Sequence, residues 1–92
     1  MTAVPLGPDL GIESADELKA RLADHLTCAD TVHLDAGRVD RVHTASLQLL
    51  CAFVRDRRRS GQHTRIHPVA PELHAAAQTL GLRDALGLED QE

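Results

Sequence analysis

The sequence predicts a small α/β domain, a mostly parallel or mixed sheet of three to four short strands packed with three to four helices. Three observations lead there. Short runs that alternate apolar and polar residues are interleaved with longer runs at helical spacing, in the order strand, helix, strand, helix, strand, helix. Glycine and proline stand between the runs as punctuation. The 92 residues, 42% hydrophobic and 26% charged, suit one globular core and exclude a disordered or membrane-embedded chain. One domain is expected over 1–92, with a short N-terminal strand and turn at 1–13, right-handed crossovers between strands, and an acidic tail at 89–92.

Thr2 to Leu6 reads as a short strand, placed at a sheet edge because Pro5 has no N–H to donate. It is the one strand expected before the first helix. Gly7-Pro8-Asp9 turns the chain. Ser14-Ala15-Asp16-Glu17 has the form of a capping box, and the helix it opens runs from Ala15 to about Leu26 with Leu18, Leu22 and Leu26 on one face. Val32-His33-Leu34-Asp35 alternates as a strand with one covered face does, and Ala36-Gly37 leads into a loop anchored by Val39 and Val42.

The second helix opens around Thr44 to Ser46 and continues to Arg59, with Gly61 placed to terminate it in the left-handed region. At the helical repeat, Leu47, Leu49, Leu50, Cys51, Phe53 and Val54 sweep an arc of roughly 200°. Either two neighbouring elements cover this helix or part of it faces a partner. Thr64 to His67 is a further strand ended by Pro68; Pro71 opens a third helix over Glu72 to Leu80, which Gly81 stops. Leu82, Leu86 and Leu88 tuck a last turn against the core.

With one Phe and neither Tyr nor Trp, the core is aliphatic and no rings are available to stack nucleic-acid bases. A formal charge of −4 argues against a general nucleic-acid or anionic-membrane surface. Met1 to Gly11 lacks a basic start and an apolar run, and no stretch approaches a membrane span, so a cytoplasmic, non-spanning protein is expected. Cys28 and Cys51 lie far apart in helical patterns and read as small fillers in a reducing compartment. Among the six histidines none pairs with another on a helix face, and His63 and His67 fall on a strand, so no metal is expected. Neither cysteine has an evident base partner, and phosphate-loop, dinucleotide and nucleophile-elbow motifs are missing, so neither enzyme nor cofactor is expected. Arg55, Arg57, Arg58 and Arg59 read as a solvated helix end that complements the dipole, or alternatively as a contact for an acidic partner.

The stretch Val42-His43-Thr44-Ala45-Ser46-Leu47 places small hydroxyl residues where a loop becomes a helix. A hydroxyl there caps an orphan N–H. The same place tolerates a phosphate, which would add nearly two negative charges beside Leu49 and Phe53 and repel an apolar surface docked on them.

This stretch, with Val32 to Asp35 before it, Arg59-Ser60-Gly61 after it and Pro71-Glu72-Leu73 through Leu80-Gly81-Leu82, resembles the STAS domain of bacterial anti-sigma factor antagonists and sulfate-transporter tails, over about Ser14 to Leu88. In that family an Asp-Ser/Thr-Ser/Thr-Gly-Leu type motif opens the second helix. Here His43 stands at the Asp, Thr44 at the first hydroxyl, Ala45 at the second, Ser46 at the Gly and Leu47 at the Leu. In the antagonists that first hydroxyl is phosphorylated by a serine kinase that is also the anti-sigma factor, and the unphosphorylated form binds it. The resemblance therefore implies a non-enzymatic partner-switching protein with Thr44 as phosphoacceptor and His43, Thr44, Ala45, Ser46, Gln48, Leu49 and Phe53 facing the partner. The Thr44-Ala45 pair is similar to a second branch, in which a small STAS subunit sits on the ATPase of a phospholipid-trafficking ABC transporter. Short STAS proteins also accompany chemotaxis systems, and some members bind nucleotide at the same lip. Many antagonists have two strands before the first helix, so a single one fits the compact branches.

Overall fold

A computed structural model describes residues 2–88; the acidic tail expected at 89–92 lies outside the described residues. Chain order is β1 (Thr2–Pro5), β2 (Asp9–Leu10), a 3-10 turn (Ile12–Ser14), α1 (Ala15–Ala23), β3 (Val32–Ala36), β4 (Arg41–Val42), α2 (Thr44–Arg59), β5 (Thr64–Val69), α3 (Pro71–Thr79) and α4 (Arg83–Leu86). The α/β class is as predicted, but the strands divide into two sheets. β1, β3 and β5 form one sheet in the order β1-β3-β5, β2 and β4 form another, and every pairing is parallel. Two strands therefore precede the first helix, where one was expected. The two-residue β2 is too short to show alternation and exists only because β4, far along the chain, pairs with it.

Register explains which side of the larger sheet is covered. Val4, Leu34 and Ile66 stand in one row, and with Val32, Ala36 and Leu6 they are buried under the helices. Alternation sends His33, Asp35, Arg65 and His67 to the other face, where they are exposed or half-exposed. Leu18 and Leu22 of α1, Leu47, Leu50, Phe53 and Val54 of α2, Leu73 and Ala77 of α3, Leu86 of α4, and Leu10, Val39, Ala70 and Leu88 complete the core. Both α1 and α4 pack against α2, so two neighbours account for its wide apolar arc. The β1 edge is blunted as its proline suggests. Leu6 N–H donates to Asp35 O at 3.0 Å, which turns Ala3 and Pro5 outward; Pro5 has no donor, and its carbonyl accepts from Arg21 Nη1 at 2.9 Å.

Three element boundaries differ from expectation, each for a local reason. Ser14 makes no side-chain cap bond, because the 3-10 turn runs directly into α1 and its Gly11 and Ile12 carbonyls take the Ser14 and Ala15 N–H groups. β5 continues through Pro68, joined to His67 by a cis peptide, to Val69. It is an outer strand of its sheet, where a missing donor is tolerated, and the β3–β5 register shifts between Leu34 and Ala36 opposite the proline. α1 stops at Ala23, and residues up to Cys28 form successive tight turns although Leu26 still packs on the core.

The segment beyond that early stop is bonded to Arg57. Expected on a solvated helix end, this arginine is instead 0% exposed. Nη1 donates to the carbonyls of His25 at 2.9 Å and Cys28 at 2.8 Å, Nη2 to those of Asp30 at 2.9 Å and His63 at 2.8 Å, and Nε to Thr64 Oγ1 at 2.7 Å. Every guanidinium donor thus has an acceptor. The Phe53 ring, one turn back on α2, lies 5.7 Å from the guanidinium carbon. Immediately beyond, α2 ends on Gly61 at φ +77°, with Gly61 N–H bonded to Arg58 O and Gln62 N–H to Arg57 O, the paired bonds of a Schellman cap. Gly81 closes α3 in the same way at φ +71°, with Leu82 N–H on Ala77 O at 2.8 Å.

Truncating Arg57 removes the five side-chain hydrogen bonds that tie His25, Cys28 and Asp30 to His63 and Thr64. Arg57→Leu is expected to cost on the order of 3–5 kcal/mol, most of the stability of a domain this size, and Arg57→Lys to recover only part of it. Urea denaturation followed by circular dichroism measures both; a loss under about 1 kcal/mol in Arg57→Leu would contradict this account.

Candidate functional site at the start of α2

The start of α2 is held from below by the small sheet. β2 and β4 run parallel with Asp9 opposite Arg41 and Leu10 opposite Val42, and His43 N–H extends the ladder by donating to Leu10 O at 2.9 Å. Pro8 O accepts from Asp40 N–H at 2.8 Å and Arg41 N–H at 3.2 Å. Arg41 then lies 4.0 Å from both Asp9 and Glu13, a weak exposed bridge across the ribbon. Gly11 is closely approached: its N–H donates to Asp9 Oδ1 at 2.8 Å, and a Cβ on it would stand 2.9 Å from that oxygen and push the carboxylate aside.

On this base the helix begins with His43 as its N-cap. The imidazole Nδ1 accepts from Ala45 N–H at 3.1 Å, and the His43 carbonyl takes the Ser46 and Leu47 N–H groups at 3.0 and 3.2 Å. Histidine is an uncommon cap, and it performs here the acceptor role that a short acidic or hydroxyl side chain usually fills. The unprotonated nitrogen is the acceptor, so the cap adds no negative charge at the positive end of the helix dipole.

Of the residues read as partner-facing, His43, Thr44 and Gln48 are exposed, and Ala45 and Leu49 are half-buried. Thr44 is the first residue of the helix, and Gln48 follows one turn later on the same side. Ser46 and Phe53 do not belong to this surface. Ser46 is fully buried with its hydroxyl unpartnered, because the third helical position turns toward the core, and Phe53 is buried beneath Arg57. Thr44 therefore carries the exposed hydroxyl of the motif.

Ile12 was missed by the sequence reading. It stands 61% exposed on the 3-10 turn that follows β2. The signal was present in Gly11-Ile12-Glu13-Ser14, an apolar residue ahead of the helix that fits no helical stripe.

Burial pushes the Cys51 thiol up from its ordinary range, and the Arg55 guanidinium only partly offsets this. Among the described residues no group of three or more His, Cys, Asp or Glu side chains is disposed to hold a metal ion. No helix among them is long and apolar enough to cross a membrane.

The described residues form a small parallel α/β domain that exposes the Thr44 hydroxyl at a helix start beside a two-stranded ribbon. The chain belongs to the STAS family: the family described as "Mlab, STAS domain" matches residues 2–89. None of the curated proteins matches the sequence significantly. A sulfate transporter family protein from Wolinella succinogenes, known from a crystal structure, superposes with a TM-score of 0.77 over 96% of this chain and 72% of its own, at 22% identity. That likeness establishes the shared fold.

Two measurements check the site. His43→Ala is expected to lower stability by about 0.5–2 kcal/mol in urea denaturation, and His43→Asp to restore or exceed the starting value, because a carboxylate caps the same N–H and suits the dipole. In a Cys28→Ser protein, alkylation of Cys51 is expected to require higher pH than a small free thiol does, and denaturant to abolish the difference. Equal rates in the native state would contradict the effect of burial.

Proposed function

We propose that the chain is a single, non-enzymatic STAS domain, cytoplasmic, which acts by binding another protein through the Thr44 lip and is switched by phosphorylation of Thr44. The observation that carries this reading is the solvent exposure of Thr44 at the first position of α2 while Ala45 and Ser46 behind it are withdrawn. A phosphate there would meet the positive helix end, which favours it, with the Ala45, Ser46 and Leu47 N–H groups already bonded to His43. Where the family motif has an acidic residue beside the hydroxyl, this chain has His43, so no adjacent carboxylate at position 43 repels the added charge. Docked apolar surface would have to desolvate the dianion, which opposes binding. The contact set is His43, Thr44, Ala45, Gln48 and Leu49, and the partner is an anti-sigma factor kinase or another signalling protein, such as one of a chemotaxis system.

A second reading rests on the Thr44-Ala45 pair: a subunit docked through the same lip on the ATPase of a phospholipid-transporting ABC system, without phosphorylation. Phosphopeptide mass spectrometry after incubation with a cognate kinase and ATP, combined with calorimetric titration of that kinase, separates the two. Phosphate is expected on Thr44, with Thr44→Glu binding at least about tenfold more weakly and Thr44→Ala still binding. An unmodified Thr44 together with unchanged binding by Thr44→Glu would sink the switch, and co-purification with an ATPase and permease would favour the second reading.

A further inference from the structure

The larger sheet is parallel throughout, yet only one of its faces is buried. Parallel sheets are ordinarily covered on both. On the open face Ala3 of β1, His33 of β3 and Arg65 of β5 stand in one row, and Pro5 pairs with Asp35 farther along. Ala3, Pro5, Asp35, Arg65 and His67 are exposed and His33 is half-buried, so no described element packs over them.

Charge on this face runs against that of the chain. The sequence has ten basic and fourteen acidic side chains, a formal charge of −4. The open face carries Arg65, His33 and His67 against one carboxylate, Asp35. That carboxylate is engaged locally, its Oδ1 accepting from Gly37 N–H at 3.0 Å. Arg38 stands with it in a hollow of about 320 Å³ that Pro5, Gly7 and Pro8 complete. The Arg65 guanidinium has no ion pair or hydrogen bond among the described residues.

Size restricts what can cover the face. Three strands of four, five and six residues make a patch about 14 Å by about 17 Å, far below the ~800 Å² that each partner of a standard interface buries. A second copy set face to face would also oppose Arg65 and both histidines to their own kind. We infer that the open sheet face is a docking surface for a short acidic segment of another protein, laid across β3 and β5 with its carboxylates on Arg65 and His33. None of the Thr44 lip residues belongs to this face, so the two surfaces are separate and this inference does not depend on the lip.

Histidine gains charge within the physiological range, so lowering the pH from about 8 to about 6 strengthens the attraction while the carboxylates of the segment stay ionised. Within the sheet, Arg65 and Asp35 are the charged groups that share the face with His33 and His67, and Ala3 and Pro5 of β1 add none.

The test titrates a peptide of about twelve residues, alternating Glu and Ala, into the isotope-labelled full chain and follows amide resonances. Shifts are expected at His33, Arg65 and His67 and not at Thr44 or Gln48, with binding about threefold to tenfold tighter near pH 6 than near pH 8. Arg65→Glu is expected to weaken binding at least about tenfold at both pH values. The double substitution His33→Gln with His67→Gln is expected to keep the binding seen near pH 8 and lose the gain on acidification. Unchanged affinity in Arg65→Glu, or shifts confined to Arg55, Arg58 and Arg59, would overturn the assignment of the face. Phosphatidylserine vesicles or a thymidine oligonucleotide bound as tightly as the peptide would overturn a protein segment as the occupant. Binding by a chain lacking residues 89–92, with none by the full chain, would give the face to the chain's own acidic end and overturn the separate partner.

Discussion

One buried guanidinium gathers the parts of this domain that have no regular structure to hold them. Between α1 and β3 the chain passes through residues 24–31, where the carbonyls of His25, Cys28 and Asp30 converge on Arg57. Charge-assisted hydrogen bonds of this kind hold the path of the connection to the arginine. The same side chain holds the start of β5 through His63 O and Thr64 Oγ1. His63 O also accepts from Val32 N–H at 3.1 Å, so the first rung of the β3–β5 ladder and the arginine share one oxygen. The planar fork of arginine suits this task, because its donors diverge in fixed directions toward several acceptors; a lysine ammonium lacks that geometry.

The lip at the other end of α2 is built by a different economy of parts. Two residues of β2 and two of β4 pair in parallel, and their common direction delivers the 3-10 turn and the start of α2 side by side. The cap on α2 is local, from His43, while its height and angle are tertiary, from Leu10 O and Pro8 O. The two ends of one 16-residue helix thus carry separate duties: Arg57 near its C-terminus secures the fold, and Thr44 at its N-terminus stays free of it. A charge added at Thr44 would act on a surface the core does not use, as a reversible switch requires.

Much of the architecture was legible from spacing. Leu18 with Leu22, the alternation of Val32 to Ala36, and Gly61 and Gly81 as helix stops are local signals, and each appears where its local physics places it. Burial within the second helix was harder to read. Phe53 and Ser46 lie in a motif whose neighbours are exposed, and only the packing of α1 and α4 on α2 withdraws them. Arg57 was misread for the opposite reason. Three of the four arginines in its run are exposed, and composition treats them alike, although one of them faces inward every turn of the helix.

The sequence by itself determined the α/β class, the order of its main elements, the aliphatic core and the hydroxyl at the start of the second helix, because periodicity, capping and turn chemistry act between residues a few positions apart. Only the tertiary structure decided that Arg57 is buried, that β2 and β4 exist, and that Ser46 and Phe53 are withdrawn from the surface. Each of these depends on a contact between segments distant in sequence. No local pattern encodes such a contact until the chain has closed on itself.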